Sequence, residues 1–272
     1  MRRYTIHLIL FILTVASTLI IGGPAYSFVI ILILLGHEMG HYLMSRRHGI
    51  RATLPFFLPF PLPPFGTLGA VIRMESTVSS RKALFDTGVT GPLTSLLLSI
   101  PAIVIGLKLS EVVPASQIKE GALRLADPLL FSFIQREVLG EISENFEILL
   151  HPIGFAGWVG LFVTALNLLP IGQLDGGHIA YALFGKSSRT IYLIAIAVMA
   201  FITVFYNPGW FLFLILIILF GFRHPPPMDD QTPLDGKRKF LGGIAFLAFI
   251  VSFTPAPFPE YAEEIKQLFG SF

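Results

Sequence analysis

Cysteine is absent from all 272 residues, which excludes a disulfide framework, a thiol nucleophile and any Cys-ligated zinc or iron–sulfur site, and leaves the compartment open. Charge is nearly as scarce. Asp, Glu, Lys and Arg make up 13% of the chain, against ~25% in soluble domains, so water is not its main solvent. Bases exceed acids only by 19 to 17, a net charge of +2, which gives no electrostatic footing for nucleic acid. No internal repeat is evident. What remains is apolar: 54% of residues are hydrophobic, and Thr5 to Gly36 and Thr190 to Phe222 are free of Asp, Glu, Lys and Arg. Such stretches face lipid or each other.

A bilayer core ~30 Å thick takes about 20 apolar residues as a helix, which predicts spans at 5–22, 25–44, 88–107, 154–182, 190–206, 209–222 and 240–256. The expected fold is an all-α polytopic membrane protein with six to seven transmembrane helices, one membrane-embedded domain over 1–272. The first span is too long for a signal-peptide core and has no small-residue cleavage site, so it is expected to stay as structure. Lys and Arg concentrate on cytoplasmic flanks. With the amino terminus inside, fourteen of the nineteen bases fall on one face, Arg46, Arg47, Arg81, Lys186 and Lys237 among them, leaving Lys108, Lys119, Arg124, Arg136 and Lys266 on the other. That split predicts seven crossings from a cytoplasmic amino terminus. Trp158 and Trp210 are expected as interfacial anchors near the outer face.

Three segments are not spans. Arg51 to Ser80 carries five prolines between Pro55 and Pro64 among Phe and Leu, which forbids a helix yet keeps the chain greasy. It predicts a re-entrant segment against the core, with Thr67 to Glu75 as a β-strand. Non-helical backbone at membrane depth has to be buried in protein or line a wet cavity. The second segment, about 108–152, holds seven acids against four bases and reads as an outside loop with a helical turn or two. The third, His224 to Asp235, is a polar, proline-stiffened cytoplasmic connector.

Ionisable side chains inside spans are costly and mark function. Three of them, His37, Glu38 and His41, fall within five residues toward the end of the second span, after the lipid-like run Phe28 to Leu35. Positions four apart stack on one helix face, so both imidazoles reach one metal, and Glu38 lies about a quarter turn away. This is the H-E-x-x-H arrangement, two zinc ligands plus a general base. At ~1.5 Å per residue from Ala25, His37 sits roughly 18 Å along its helix, inside the hydrocarbon layer and nearer the cytoplasmic side.

Catalytic zinc has three protein ligands in most sites, so a third must come from elsewhere. Asp175 is the candidate. It lies toward the inside end of the 154–182 span, where Pro170, Gly172, Gly176 and Gly177 break the helix and free a carboxylate to turn. His178, three residues on, competes as ligand.

The pairing of HEMGH at 37–41 with NLLPIGQLDGG at 167–177 resembles the site-2 protease family, the intramembrane zinc metalloproteases. The second stretch is similar to that family's Asn-x-x-Pro-x-x-x-x-Asp-Gly pattern. The resemblance covers a three-helix core, about 25–185, and Thr87 to Leu93 resembles the glycine-rich start of the third core helix. Ser95 departs from the Asn found there in many relatives, so no role is carried to it. Nothing resembles the PDZ or CBS modules of other members, and the form is most similar to the chloroplast and archaeal branch.

The resemblance implies a Zn2+-dependent endopeptidase cutting transmembrane segments of membrane-protein substrates, with His37, His41 and Asp175 as ligands, Glu38 as base and Asn167 holding the substrate carbonyl. A helical substrate must be unwound first. Gly66, Thr67, Leu68, Gly69, Ala70 and Val71 form the stretch expected to add an extended substrate strand, and the spans at 5–22 and 190–222 are expected to frame or gate the site. A zinc transporter or an inactive membrane scaffold is the alternative. His7, His48, His151 and His224 do not pair with one another by spacing.

Overall fold

The computed structural model describes residues 2–75, 78–118, 124–220 and 225–259. Lys119, Glu120, Arg223, His224, Lys266 and the last two residues of the predicted 209–222 span lie outside these. The chain is mostly helical. Among the described residues three helical stretches, Tyr4–Arg47, Arg81–Lys108 and Asp175–Phe205, are long and apolar enough to cross a membrane, and Pro152–Leu168 and Pro208–Leu219 are shorter apolar helices.

Helix α1 (Arg2–Arg47) is broken once, at Gly23 (φ 76°, ψ −179°) before Pro24. Proline has no N–H to give the preceding turn, and glycine alone takes that φ freely. The two limbs match the predicted 5–22 and 25–44 segments. The proline-rich stretch then forms β1 (Phe56–Pro59), antiparallel to β2 (Thr67–Val71), so the expected strand is present in a shorter form and has a partner that was not foreseen. The loop between them is fixed to α1: Ser17 Oγ donates to the Gly66 carbonyl at 2.6 Å and Tyr26 Oη to that of Phe65 at 2.7 Å.

Helix α2 (Arg81–Lys108) begins seven residues ahead of its predicted span, capped by the Ser80 hydroxyl. Between α2 and α4 the chain is more ordered than the loop expected there: β3 (Glu111–Pro114) pairs with β4 (Phe146–Leu149), and α3 (Leu129–Leu139) runs three turns, burying Phe131 and Ile134. Strands of four residues are too short to show a period in sequence.

The predicted 154–182 span is two helices, α4 (Pro152–Leu168) and α5 (Asp175–Phe184), separated at Pro170 and Gly172 (φ 53°). Gly185 (φ 57°) ends α5 before α6 (Ser188–Phe205). α7 (Phe211–Phe220) and α8 (Gly236–Ser252) follow.

Lipid offers no hydrophobic drive between helices, so close packing through small residues has to hold them. α2 and α4 meet in this way. A methyl on Gly106 would overlap the Gly154 backbone, and one on Gly157 would lie 2.8 Å from the Ile103 nitrogen. The Ser95 and Thr164 hydroxyls bond across the same interface at 2.7 Å. α1 approaches α2 as tightly, since a Cβ on Gly40 would stand 2.8 Å from the Thr90 carbonyl oxygen.

Trp158 and Trp210 are core residues, not interfacial anchors, at 0% and 5% exposure. They stack in a cluster with Phe155, Phe162 and Phe253. Each indole N–H is satisfied by a loop carbonyl, Ala126 at 3.1 Å and Pro255 at 2.7 Å, so neither ring needs water or headgroups for its polar edge.

Gly106→Leu should therefore lower stability by about 3 kcal/mol or more through overpacking. Gly243→Leu, with nothing within 4 Å, should leave it near wild type. Thermal unfolding of the two variants in one detergent checks the difference.

Candidate metal centre

His37 and His41 project from one face of α1, and their Nε2 atoms stand 3.0 Å apart. Asp175, the first residue of α5, places Oδ2 3.2 Å from each. All three predicted ligands therefore converge, with their ligating atoms within 4.8 Å of one another, and among the described residues this is the grouping suited to a metal; His178 is not part of it. His37 and His41 are buried, at 4% and 5% exposure.

Local sequence explains why Asp175 reaches them. The chain leaves α4 at Leu168 and folds back in a tight turn in which Ile171 N–H bonds the Leu169 carbonyl and Leu174 N–H that of Ile171. The turn lies directly on the first turn of α5. A Cβ on Gly176 would collide with the Leu168 and Leu169 carbonyls, and one on Gly177 with those of Gly172 and Ile171. The two glycines thus make room for the turn, and a carboxylate at a helix start sits at the favourable end of the dipole.

The histidine tautomers follow from proton counting. His41 Nδ1 faces the Thr87 carbonyl at 2.7 Å, which only accepts, so Nδ1 carries the proton. His37 Nδ1 lies 3.2 Å from Ser95 Oγ. Thr164 donates to the Gly160 carbonyl, and the single Ser95 proton serves Pro92 O or Thr164 Oγ1. With Ser95 donating to Thr164 in this way, Ser95 accepts from His37 and the His37 Nδ1 carries the proton as well. Both Nε2 atoms are left as bare lone pairs aimed at each other and at a carboxylate oxygen. The Asn167 amide makes only a long contact, 3.4 Å, with His37 Nε2.

Three acceptors in mutual contact, two of them buried and the third partly so, call for a shared cation. One added proton would satisfy two of the three atoms, whereas a metal satisfies all of them. The spacing also fits: nitrogen and oxygen ligands on a tetrahedral zinc lie about 3.3 Å apart. Glu38 is buried beside this cluster at 6% exposure, and the Ile72 backbone N–H, just after β2, lies near its carboxylate.

Of the six strand residues expected to meet substrate, Leu68 and Val71 are exposed at 65% and 46%. Gly66 packs on the Ser17 and Thr18 backbone, and the buried Thr67 hydroxyl bonds the Leu58 carbonyl. Ser95, the Thr87 carbonyl and the Ile72 N–H were not foreseen from sequence. A signal existed for Ser95, a hydroxyl within an apolar helix at the depth of the histidine pair. Among the other histidines, His7 bonds the Pro55 carbonyl and stacks on Phe56, and His151 caps α4.

The sequence profile described as Peptidase family M50 matches residues 25–206. The chain is similar to the probable zinc metalloprotease EGY1, chloroplastic, of Arabidopsis thaliana, at 31% identity over 86% of this chain and 43% of that protein. The protein of the same name from Oryza sativa subsp. japonica is 36% identical over 58% of this chain and 28% of its own length. The probable zinc metalloprotease EGY2, chloroplastic, of Arabidopsis thaliana is 28% identical over 90% and 44%. The chain spans less than half the length of these relatives.

If Ser95 fixes the His37 ring, Ser95→Ala should weaken zinc binding roughly 10- to 100-fold while His37→Ala and Asp175→Ala abolish stoichiometric binding. Competition titration against a chromophoric chelator measures all three.

Proposed function

The chain belongs to peptidase family M50, the site-2 protease family, and from that membership and the convergence of His37, His41 and Asp175 we propose that it is an intramembrane zinc metalloprotease cutting transmembrane segments of membrane proteins. The observation that carries this reading is the set of three acceptors 3.0 to 3.2 Å apart, both imidazoles buried and the His41 Nδ1 proton committed to the Thr87 carbonyl. Such a set holds a cation. A zinc ion bound there supplies Lewis acidity, polarising the scissile carbonyl and lowering the pKa of water from 15.7 to about 7.

The protein's own groups do the rest. Glu38 takes the proton of the attacking water and returns it to the leaving amine. Asn167, beside His37 at the end of α4, turns its amide N–H toward the substrate carbonyl and stabilises the developing oxyanion, a role worth ~2.7–4 kcal/mol.

The substrate enters as an extended strand along β2, presenting its backbone to the side of Thr67–Val71 away from β1. Leu68 and Val71 form the contact, and the irregular step at Gly69 (φ 100°) within β2 brings backbones close. The whole of 1–272 acts as one membrane-embedded domain around a core of about 25–185, with a cytoplasmic amino terminus and the metal near the cytoplasmic side. The first limb of α1, with α6 and α7, frames a lateral opening, and β1–β2 forms the re-entrant wall.

Glu38→Gln should retain one zinc per chain and slow cleavage of a membrane-tethered helical reporter by about 10²- to 10⁴-fold. Undiminished cleavage by that variant would remove Glu38 from the mechanism, and zinc flux through vesicles without cleavage would favour transport. The cysteine-free chain allows a second measurement. With substrate trapped on Glu38→Gln, Leu68→Cys and Val71→Cys should form disulfides to a cysteine beside the scissile bond, and the inward-facing Thr67→Cys should not.

A further inference from the structure

Asp86 lies one residue before Thr87, whose carbonyl holds His41 Nδ1 at 2.7 Å. Its carboxylate is gripped from two other helices. The Arg238 fork at the start of α8 donates through Nε to Oδ1 at 2.7 Å and through Nη2 to Oδ2 at 2.6 Å. His48, just past the end of α1, places Nε2 2.9 Å from the same Oδ2. Arg238 is itself positioned: Asp235 caps α8 by accepting the Arg238 backbone N–H at 3.0 Å, and its second oxygen meets Nη1 of the same guanidinium.

The approach of α8 to this point is built into the segment before it. Met228 N–H bonds the Val78 carbonyl at 2.9 Å, Asp229 N–H that of Ser79 at 3.1 Å, and Arg81 N–H returns to the Asp229 carbonyl at 3.3 Å. Tyr181 of α5 donates to Asp230 Oδ2 at 3.1 Å. Residues beyond 206, where the family match ends, therefore bind the opening turns of α2 and the body of α5, the helices that supply the Thr87 carbonyl and Asp175.

We propose that Asp86 is a positioning residue for the metal centre and that Arg238 sets it, so that α8 completes a site whose ligands all lie on other helices. The inference rests on the metal-centre reading above. A guanidinium fork bonded to both carboxylate oxygens fixes orientation as well as distance. α1 and α2 are in close contact at this height: Gly40 meets the Thr90 carbonyl, and the His41 ring meets Gly91. A shift at the start of α2 therefore passes directly to the Thr87 carbonyl and from there to the His41 ring. Releasing Arg238 lets that carbonyl drift, and Nε2 of His41 drifts with it.

The test is cobalt binding to the whole chain in detergent, read by the visible absorption of the bound ion and by competition titration, with apo-protein unfolding midpoints beside it. Arg238→Ala should weaken cobalt affinity about tenfold and alter the spectrum, and millimolar guanidinium should restore both. The charge swap Asp86→Arg with Arg238→Asp should recover affinity lost in either single variant. If Arg238→Ala lowers the apo midpoint, guanidinium rescue of the spectrum still identifies positioning, and a midpoint loss without spectral change overturns it. Wild-type affinity and spectrum in Arg238→Ala also overturn it while leaving the metal centre intact. A wild type that binds no cobalt, or binds it equally well as His37→Ala, overturns the metal-centre reading itself.

Discussion

Two buried imidazole nitrogens and a carboxylate oxygen of the partly buried Asp175 face one another at 3.0 to 3.2 Å. Lone pairs so placed repel, and a buried acceptor left without a donor costs about 1–3 kcal/mol. The arrangement stands only because the polar groups around it all push the same way: the Thr87 carbonyl and Ser95 hydroxyl claim the Nδ1 protons, and the turn after Leu168 delivers Asp175 from the opposite side. Each of these contacts raises the demand for a cation at the centre. The binding free energy of a metal and the packing energy of the core are in this sense one quantity, since a cation offsets the repulsion that the fold creates.

Holding that centre requires backbones, not side chains, to be in contact. Gly106 against Gly154, Gly157 against Ile103 and Gly40 against Thr90 set the distances among α1, α2 and α4, and the hydroxyl chain Ser95–Thr164–Gly160 crosses the same seam. Small residues serve two ends here. They let helices approach without the hydrophobic effect that lipid does not supply, and they remove the side-chain slack that would blur ligand positions. Gly91 shows the second use: any Cβ there would occupy the space of the His41 ring.

The three residues that converge at the candidate metal centre were legible in sequence because their cost is legible. His37, Glu38 and His41 in an apolar run have no bland explanation, and Pro170 with the paired glycines announces a broken helix beside Asp175. The helices were legible from hydropathy, though not their ends: α2 begins at Arg81 because the Ser80 cap and its bonds to the distant 228–229 segment extend it, and neither is visible in a local window. Ser95 escaped because a serine in a helix has many ordinary uses, and only the facing His37 gives it one. Trp158 and Trp210 were misplaced for the converse reason. An indole is common at membrane interfaces, but the carbonyls of Ala126 and Pro255, which satisfy these two, come from loops whose folding no composition reveals.

The contact between Ile72 and Glu38 ties the strand to the chemistry. β2 ends at Val71, and the next N–H lies near the carboxylate proposed as base. A substrate strand added along β2 would extend the sheet and stiffen its end, and a stiffer end holds Glu38 more firmly. Unwinding of the substrate and placement of the base then draw on the same hydrogen-bonded ribbon. A peptide that stays helical gains neither, because its amides remain bonded to themselves and leave the ribbon unpaired. If a substrate is added along β2 as proposed, an unwound segment would be favoured over an intact transmembrane helix by the strand that forms this wall of the site.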